Sequence, residues 1–204
     1  MSKSSSVAVI GAGGHAKVLL STLRALGYTA ITLYDDDSCK WGRDILGAPV
    51  AGPIVEVRRG RHELGVIGIG DNSLRRHLAR RIQLAWLPLV HPAAYVHPSV
   101  ELGAGAVVFA GAVVQPETVV GSHVIVNTGA TVDHDCTLES FCHLAPGVHL
   151  CGGVCVGEGA LLAVGSSAVP NVRIGAWATI GAGAVVVEDL PNEVVAVGLP
   201  AKPR

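Results

Sequence analysis

One polar interval interrupts the otherwise apolar second half of this 204-residue chain: Asn127-Thr128-Gly129, followed by Asp133-His134-Asp135. A neutral imidazole is suited to take a proton from an attacking amine or hydroxyl near pH 7. A neighbouring carboxylate can orient the ring and stabilise the imidazolium that forms. His134 and Asp135 offer such a pair. Adjacent residues of a strand point to opposite faces, so Asp135 reaches His134 only where a turn rotates it outward. Asp133, or a carboxylate from another subunit, could serve instead.

The stretch that must position these residues runs from Val90 to Val186. In steps of six, every residue from Val90 through Val96, Leu102 and Val108 to Ile180 and Val186 is a branched aliphatic, Ala168 excepted. Four places after many of them stands a small or apolar residue, such as Ala106, Ala130, Cys136, Cys142 or Ala160. A period of six is neither helical nor a simple alternation. It fits short strands joined by tight turns that stack into a solenoid, because no single repeat can bury its apolar face alone. In a triangular coil, the residue directly above another lies about eighteen positions on.

That frame puts His134 third in its hexad, near a turn and outside the core. The residue one coil above is Gly152, beside Gly153. Two glycines there expose backbone N–H groups next to the base, which nominates Gly152 as donor to an oxyanion. The frame also separates a crowd of metal-capable residues. Cys136 and Cys142 hold the small inward position and read as packing. His143, His149 and Cys155 end successive hexads and so face three sides of the coil. No metal site is expected.

Before residue 90 the pattern changes. Val7-Ala8-Val9-Ile10 reads as a strand ending in Gly11-Ala12-Gly13-Gly14-His15-Ala16. Val18, Leu19, Leu20, Leu23 and Leu26 follow at helical spacing, and Gly27 stops the helix. Ile31 to Tyr34 reads as a second strand ending in Asp35-Asp36-Asp37, and Val66 to Ile69 as a third. Glycines let a backbone approach a phosphate, a helix N-terminus favours negative charge, and acids at a strand tip can bond a ribose or base edge. Fewer than ninety residues hold one mononucleotide half, not the two of a dinucleotide fold. The helix from about Ser73 to Gln83 carries Arg75, Arg76, Arg80 and Arg81, expected as a solvated face. Arg58-Arg59-Gly60-Arg61 is expected as an exposed loop or helix end.

Half the residues are hydrophobic and only 4% aromatic, and the net charge is −1. A near-neutral chain gives no general support to a nucleic-acid or membrane-surface role. Of fifteen Lys and Arg, all but Arg173, Lys202 and Arg204 precede residue 90, whereas nine of sixteen acids follow it. This break places a domain boundary near residue 89, giving domains 1–89 and 90–204. No apolar run reaches bilayer length, and the polar start lacks a signal-peptide core, so a cytoplasmic location with reduced thiols is expected.

Gly11-Ala12-Gly13-Gly14-His15 with Asp35-Asp36, followed by the hexads, resembles the sugar-nucleotide acetyltransferases of the PglD/NeuD type. This family belongs to the hexapeptide-repeat acyltransferases. The resemblance implies an α/β half-Rossmann domain, then a left-handed parallel β-helix, a handedness the period alone does not give. It implies acetyl-CoA as co-substrate and N-acetylation of a nucleotide-linked amino-sugar, UDP-linked and 4-amino-deoxy. It also implies a homotrimer with active sites between subunits. It assigns His134 as base with Asp135, and Gly13, Gly14, His15, Asp35 and Asp36 to the nucleotide-sugar. Asn127 is expected as a sugar contact, His143 at the thioester end, Val164 and Ala182 along the pantetheine path, and Lys202 near a CoA phosphate. Sugar O-acetylation and a non-catalytic scaffold are the alternatives.

Overall fold

The computed structural model describes residues 5–57 and 62–204, and divides the chain into two compact units, Met1–Pro92 and Ala93–Arg204. Arg58, Arg59, Gly60 and Arg61 lie outside the described residues.

The first unit is built on β1 (Val7–Ile10), whose four residues are all buried. A strand covered on both faces needs an unbroken apolar run, and this one has it. Helix α1 (Gly14–Ala25) packs through Ala16, Leu19, Leu20 and Leu23. It ends where Gly27 adopts φ +87°, with its N–H bonded to the Arg24 carbonyl. Strand β2 (Ile31–Tyr34) pairs parallel to β1. The segment after β2 supplies β3 (Asp44–Ile45) and β4 (Ala48–Gly52), an antiparallel pair that extends the sheet beyond β2. Strand β5 (Leu64–Ile67) lies on the other side of β1. It starts two residues before the expected strand, so Gly68 and Ile69 fall in the loop after it. Helix α2 (Asn72–Arg81) is capped by Asp71, whose carboxylate accepts from the Leu74 N–H at 2.7 Å. Strand β6 (Ala85–Trp86) completes the order β3-β4-β2-β1-β5-β6.

One expectation fails on α2. Arg80 and Arg81 are exposed, but Arg75 is only 2% accessible. Its guanidinium donates to the carbonyls of Ile69 and Gly70, both at 3.1 Å, and to Asn72 Oδ1 at 2.7 Å. Arg75 is therefore not part of a solvated face. Peptide carbonyls of a half-buried loop are best satisfied by a protein donor, and this side chain provides it.

The second unit is a left-handed parallel β-helix. Two-residue strands stack on three faces. The first face contains Val107–Val108, Ile125–Val126, His143–Leu144, Leu161–Leu162 and Thr179–Ile180. The second contains Tyr95–Val96, Val113–Val114, Thr131–Val132, His149–Leu150, Ser167–Ala168 and Val185–Val186. The third contains Glu101–Leu102, Val119–Val120, Thr137–Leu138, Cys155–Val156 and Arg173–Ile174. Register partners such as Val126 and Leu144 are one coil apart, as the sequence period requires.

From Val108 to Val186 every residue of the inward aliphatic column is at most 3% accessible. Each such Val, Leu or Ile contributes about 1.5–3 kcal/mol of burial free energy. The small column is equally closed: Ala112, Ala130, Cys136, Cys142 and Ala160 are fully buried. Thr118 and Ser166 occupy this column too, and their hydroxyls donate to the carbonyls of Asp133 and Ala163. Burial pushes the Cys136 thiol up to about 11, so it stays protonated as a packing residue. Among the described residues no helix is long and apolar enough to cross a membrane.

Candidate active site

In the first unit a cleft of about 430 Å³ is lined by Gly13, Gly14, His15, Asp35, Asp36 and the loop after β5. All five residues that the sequence nominated for a nucleotide thus meet at one opening. A Cβ at Gly13 or Gly14 would meet no heavy atom within 4 Å, so the loop backbone lies bare to a ligand. Gly11 is different. It adopts φ +97°, and a Cβ there would approach Ile69 to 2.8 Å.

Asp35 ties the cleft together. One carboxylate oxygen accepts from the Ala12 N–H at 2.7 Å and from Lys40 Nζ at 3.0 Å, and the other from the Asp37 N–H at 2.9 Å. Burial alone would raise its pKa, but the two backbone N–H groups and Lys40 hold it below the ordinary value. The neighbouring Asp36 accepts from the Ile54 N–H at 2.9 Å, anchoring the short turn at Ile54, which also lines the cleft. His15 is shifted down to about 4, first by burial and then by the charge of Arg75. It is therefore uncharged at neutral pH and offers one donor and one acceptor.

In the second unit His134 stands at the corner between the second and third faces. Its ring is exposed, and its Nδ1 lies 2.6 Å from Asp135 Oδ2. A carboxylate only accepts, so Nδ1 carries the proton and the Nε2 lone pair is left to act as a base. The geometric obstacle is removed by the backbone: Asp135 has φ +59°. This left-handed residue breaks strand alternation and turns two adjacent side chains to the same side. Asp133 engages the corner differently, accepting the His134 backbone N–H at 2.8 Å. The hydrogen bond to Asp135, followed by the charge of Asp133, raises the His134 pKa above 6.5.

The coil above is shaped to that ring. A Cβ at Gly152 would lie 2.6 Å from His134 Cε1, so the space over Gly152 is taken by the imidazole itself. The Gly153 N–H is bonded to the His134 carbonyl at 2.9 Å, whereas the Gly152 N–H has no acceptor among the described residues.

The remaining nominated residues lie on other parts of the β-helix. Asn127 and His143 meet on the first face, Nδ2 to Nε2 at 3.1 Å. Val164 and Ala182 stack one coil apart at the corner between the first and second faces, both exposed. Lys202 pairs with Glu188. His143, His149 and Cys155 sit on three different faces, and among the described residues no group of three or more His, Cys, Asp or Glu could hold a metal ion.

Residues 6–82 match the PglD N-terminal domain family. The crystal structure of PerB from Caulobacter crescentus, in complex with CoA and GDP-perosamine, superposes with a TM-score of 0.90 at 43% identity, covering 99% of this chain and 98% of that one. The acetyltransferase domain of PglB from Neisseria gonorrhoeae FA1090 gives 0.93 at 39% identity over 98% and 99%. The chain belongs to the PglD/NeuD-type sugar-nucleotide acetyltransferases of the hexapeptide-repeat superfamily. The UDP-N-acetylbacillosamine N-acetyltransferase of Bacillus subtilis (strain 168) is 38% identical over 98 residues, which cover 44% of this chain and 44% of that relative. The PglB domain is also known in complex with acetyl coenzyme A, the co-substrate this family uses.

Within this acetyltransferase framework, three residues lie outside the sequence expectations: Lys40 in the lining of the cleft, and Trp41 and Arg75, which are bonded to lining residues. Lys40 and Trp41 brace Asp35, Trp41 Nε1 donating to the Asp35 carbonyl at 2.7 Å. They follow Asp35 by five and six positions, with no periodicity to mark them. Arg75 does carry a signal: it lies three residues before Leu78, on the buried side of α2.

Proposed function

We propose that the protein transfers the acetyl group of acetyl-CoA to the amino group of a nucleotide-linked 4-amino-deoxy-sugar. The observation that carries this reading is the exposed His134–Asp135 pair, with Nδ1 bound at 2.6 Å and Nε2 left to accept a proton. The cleft of the first unit takes the nucleotide, with Gly13, Gly14 and neutral His15 beside the phosphates and Asp35 and Asp36 at its rim. The amine nitrogen attacks the thioester carbonyl carbon as its proton passes to His134 Nε2. The oxyanion receives the Gly152 N–H, a contact worth roughly 3 kcal/mol. The C–S bond then breaks, and the imidazolium returns its proton to the leaving sulfur, giving CoA as the thiol. Val164 and Ala182 form an apolar wall for the pantetheine, and Lys202 reaches a CoA phosphate. The assembly is a homotrimer with sites between subunits, working in the cytoplasm on glycan precursors.

The relatives differ in nucleotide, GDP in the PerB complex and UDP in the name of the Bacillus subtilis enzyme. The test is release of free thiol from acetyl-CoA in the presence of UDP-, GDP- and dTDP-linked amino-sugars. Turnover with one of them, forming an alkali-stable amide, is expected. An alkali-labile product would mean O-acetylation, and no binding of acetyl-CoA would mean a scaffold. His134→Ala should lower kcat by about 10²–10⁴ with the fold retained. Intact turnover in that variant would overturn the mechanism.

A further inference from the structure

Three coils meet at the His134 corner, and backbone bonds tie them together. The Gly153 N–H donates to the His134 carbonyl at 2.9 Å, and the Asn171 N–H donates to the Gly152 carbonyl at 3.0 Å. The bare pair Gly152-Gly153 is filled from both sides. The His134 ring rises over Gly152 from the coil below. The Asn171 side chain comes down over Gly153 from the coil above, where a Cβ would collide with its Oδ1. Consecutive Cα atoms are about 3.8 Å apart, so imidazole and carboxamide stand over adjacent residues of one coil. Asn171 has φ +62°, a left-handed corner that Asn tolerates, and this alone would make it a turn residue. Its surroundings say more. At the corner between the third and first faces the same downward fold carries rings, His123 over Gly105 and Trp177 over Gly159. His123 is buried and stacks on Phe141, and Trp177 is half-buried. Asn171 is exposed, and its carboxamide has no hydrogen-bond partner among the described residues.

We infer that Asn171 is a substrate-binding residue of this corner, which holds the hydroxyl on C3 of the acceptor sugar while His134 faces the amine on C4. The inference deepens the proposed acetyltransfer and rests on it. In a 4-amino pyranose the amine-bearing carbon is flanked by C3 and C5. C5 is bonded to the ring oxygen and to C6, so C3 is the neighbour that carries a hydroxyl. A hydroxyl both donates and accepts, as does a carboxamide. The two can pair whichever way the amide is turned, which matters because no partner in the protein fixes Oδ1 against Nδ2. The side chain is also uncharged. A carboxylate in its place would favour the ammonium form of the amine, which has no lone pair for attack. With neighbouring ring substituents held by Asn171 and His134, the sugar is fixed in rotation and its amine is aimed at the thioester.

The experiment compares the unmodified protein with Asn171→Gly in the thiol-release assay. Glycine adopts the left-handed corner without strain, so the unfolding temperature should hold and only the carboxamide is lost. The acceptor is whichever 4-amino-deoxy-sugar of the UDP, GDP and dTDP panel the unmodified protein acetylates fastest, used beside its 3-deoxy analogue. Asn171→Gly should lower kcat/KM for the full acceptor about tenfold, with the KM for acetyl-CoA unchanged. Loss of the C3 hydroxyl should cost the unmodified protein a similar factor and cost Asn171→Gly little more, since one contact cannot be lost twice. Indifference of the unmodified protein to the analogue, or equal losses in both proteins, would overturn the assignment to that hydroxyl. A raised KM for acetyl-CoA alone would put the carboxamide against the pantetheine, and full activity of Asn171→Gly would leave it a turn residue. Either result sinks the inference while the acetyltransfer stands. Absence of thiol release by the unmodified protein with every member of the panel would remove the proposed function, and this inference with it.

Discussion

Asp35 and Asp135 both follow strand ends, and they do opposite work. The Asp35 side chain is 15% accessible and is held by two backbone N–H groups and a lysine. Its Ala12 partner lies 23 residues away. The Asp135 side chain is 64% accessible, and the partner of its carboxylate is the ring next to it in sequence. Exposed ion pairs add little to stability, so the worth of Asp135 is in the proton affinity it gives His134. Asp35 holds loops in place. The first unit assembles its site by convergence of distant segments. The β-helix supplies placement through its repeat, so a dipeptide suffices for chemistry.

Three substitutions can break or sharpen that contrast. The largest effect is expected at Gly152, whose hydrogen faces the His134 ring. In Gly152→Val the side chain would occupy the place of the imidazole, and kcat should fall about 10²-fold or more, since misplacing a catalytic group by about 1 Å has effects of that size. The unfolding temperature should hold, because this corner lies outside the core. Undiminished thiol release would mean that the ring is free to stand elsewhere and that the repeat does not position it.

In the first unit the expected damage is to folding. Arg75→Leu leaves the carbonyls of Ile69 and Gly70 without their donor and should destabilise the unit by about 2–4 kcal/mol. Hydrogen exchange should then speed up in β1 and β5 but not on the three faces of the β-helix. Unchanged exchange in β5 would show that the loop does not depend on this guanidinium.

The smallest effect is a shift in pH. Asp135 raises the His134 pKa above 6.5, so the basic form, and with it kcat/KM, increases as pH rises through that raised value. Asp135→Asn removes the main cause, so the midpoint of the pH–rate profile should move to lower pH, with a reduced plateau. A profile that stays in place would mean that Asp133 or another group sets the titration.

The β-helix was legible in the sequence almost residue by residue, because each inward position from Val108 to Val186 obeys one local rule. The same rule placed His134 on a corner and Gly152 above it. The left-handed backbone at Asp135 (φ +59°) follows the same period, because positive φ recurs at every sixth residue from Gly105 to Gly183. The mark is blurred in the sequence where Asp, Glu, His, Phe, Asn or Trp stands in place of glycine. In the first unit β1, α1 and β2 were clear from their apolar runs. The β3–β4 pair was not, because two strands of two and five residues with alternating exposure carry little pattern. Arg75 reads as a surface charge in the sequence because composition alone cannot reveal that a guanidinium is folded against loop carbonyls.

Each corner of the β-helix rests on the corner eighteen residues before it, as in the register of Ile125 with His143. The molecule is therefore tolerant of whole-coil gains or losses and intolerant of anything less. Removing one full turn away from His134 would leave every remaining column aligned. Removing one residue would rotate all that follows, sending Leu144 and its successors outward into water. Descendants of such a chain can lengthen or shorten by turns, while the imidazole keeps its place between the coil below and the glycine above.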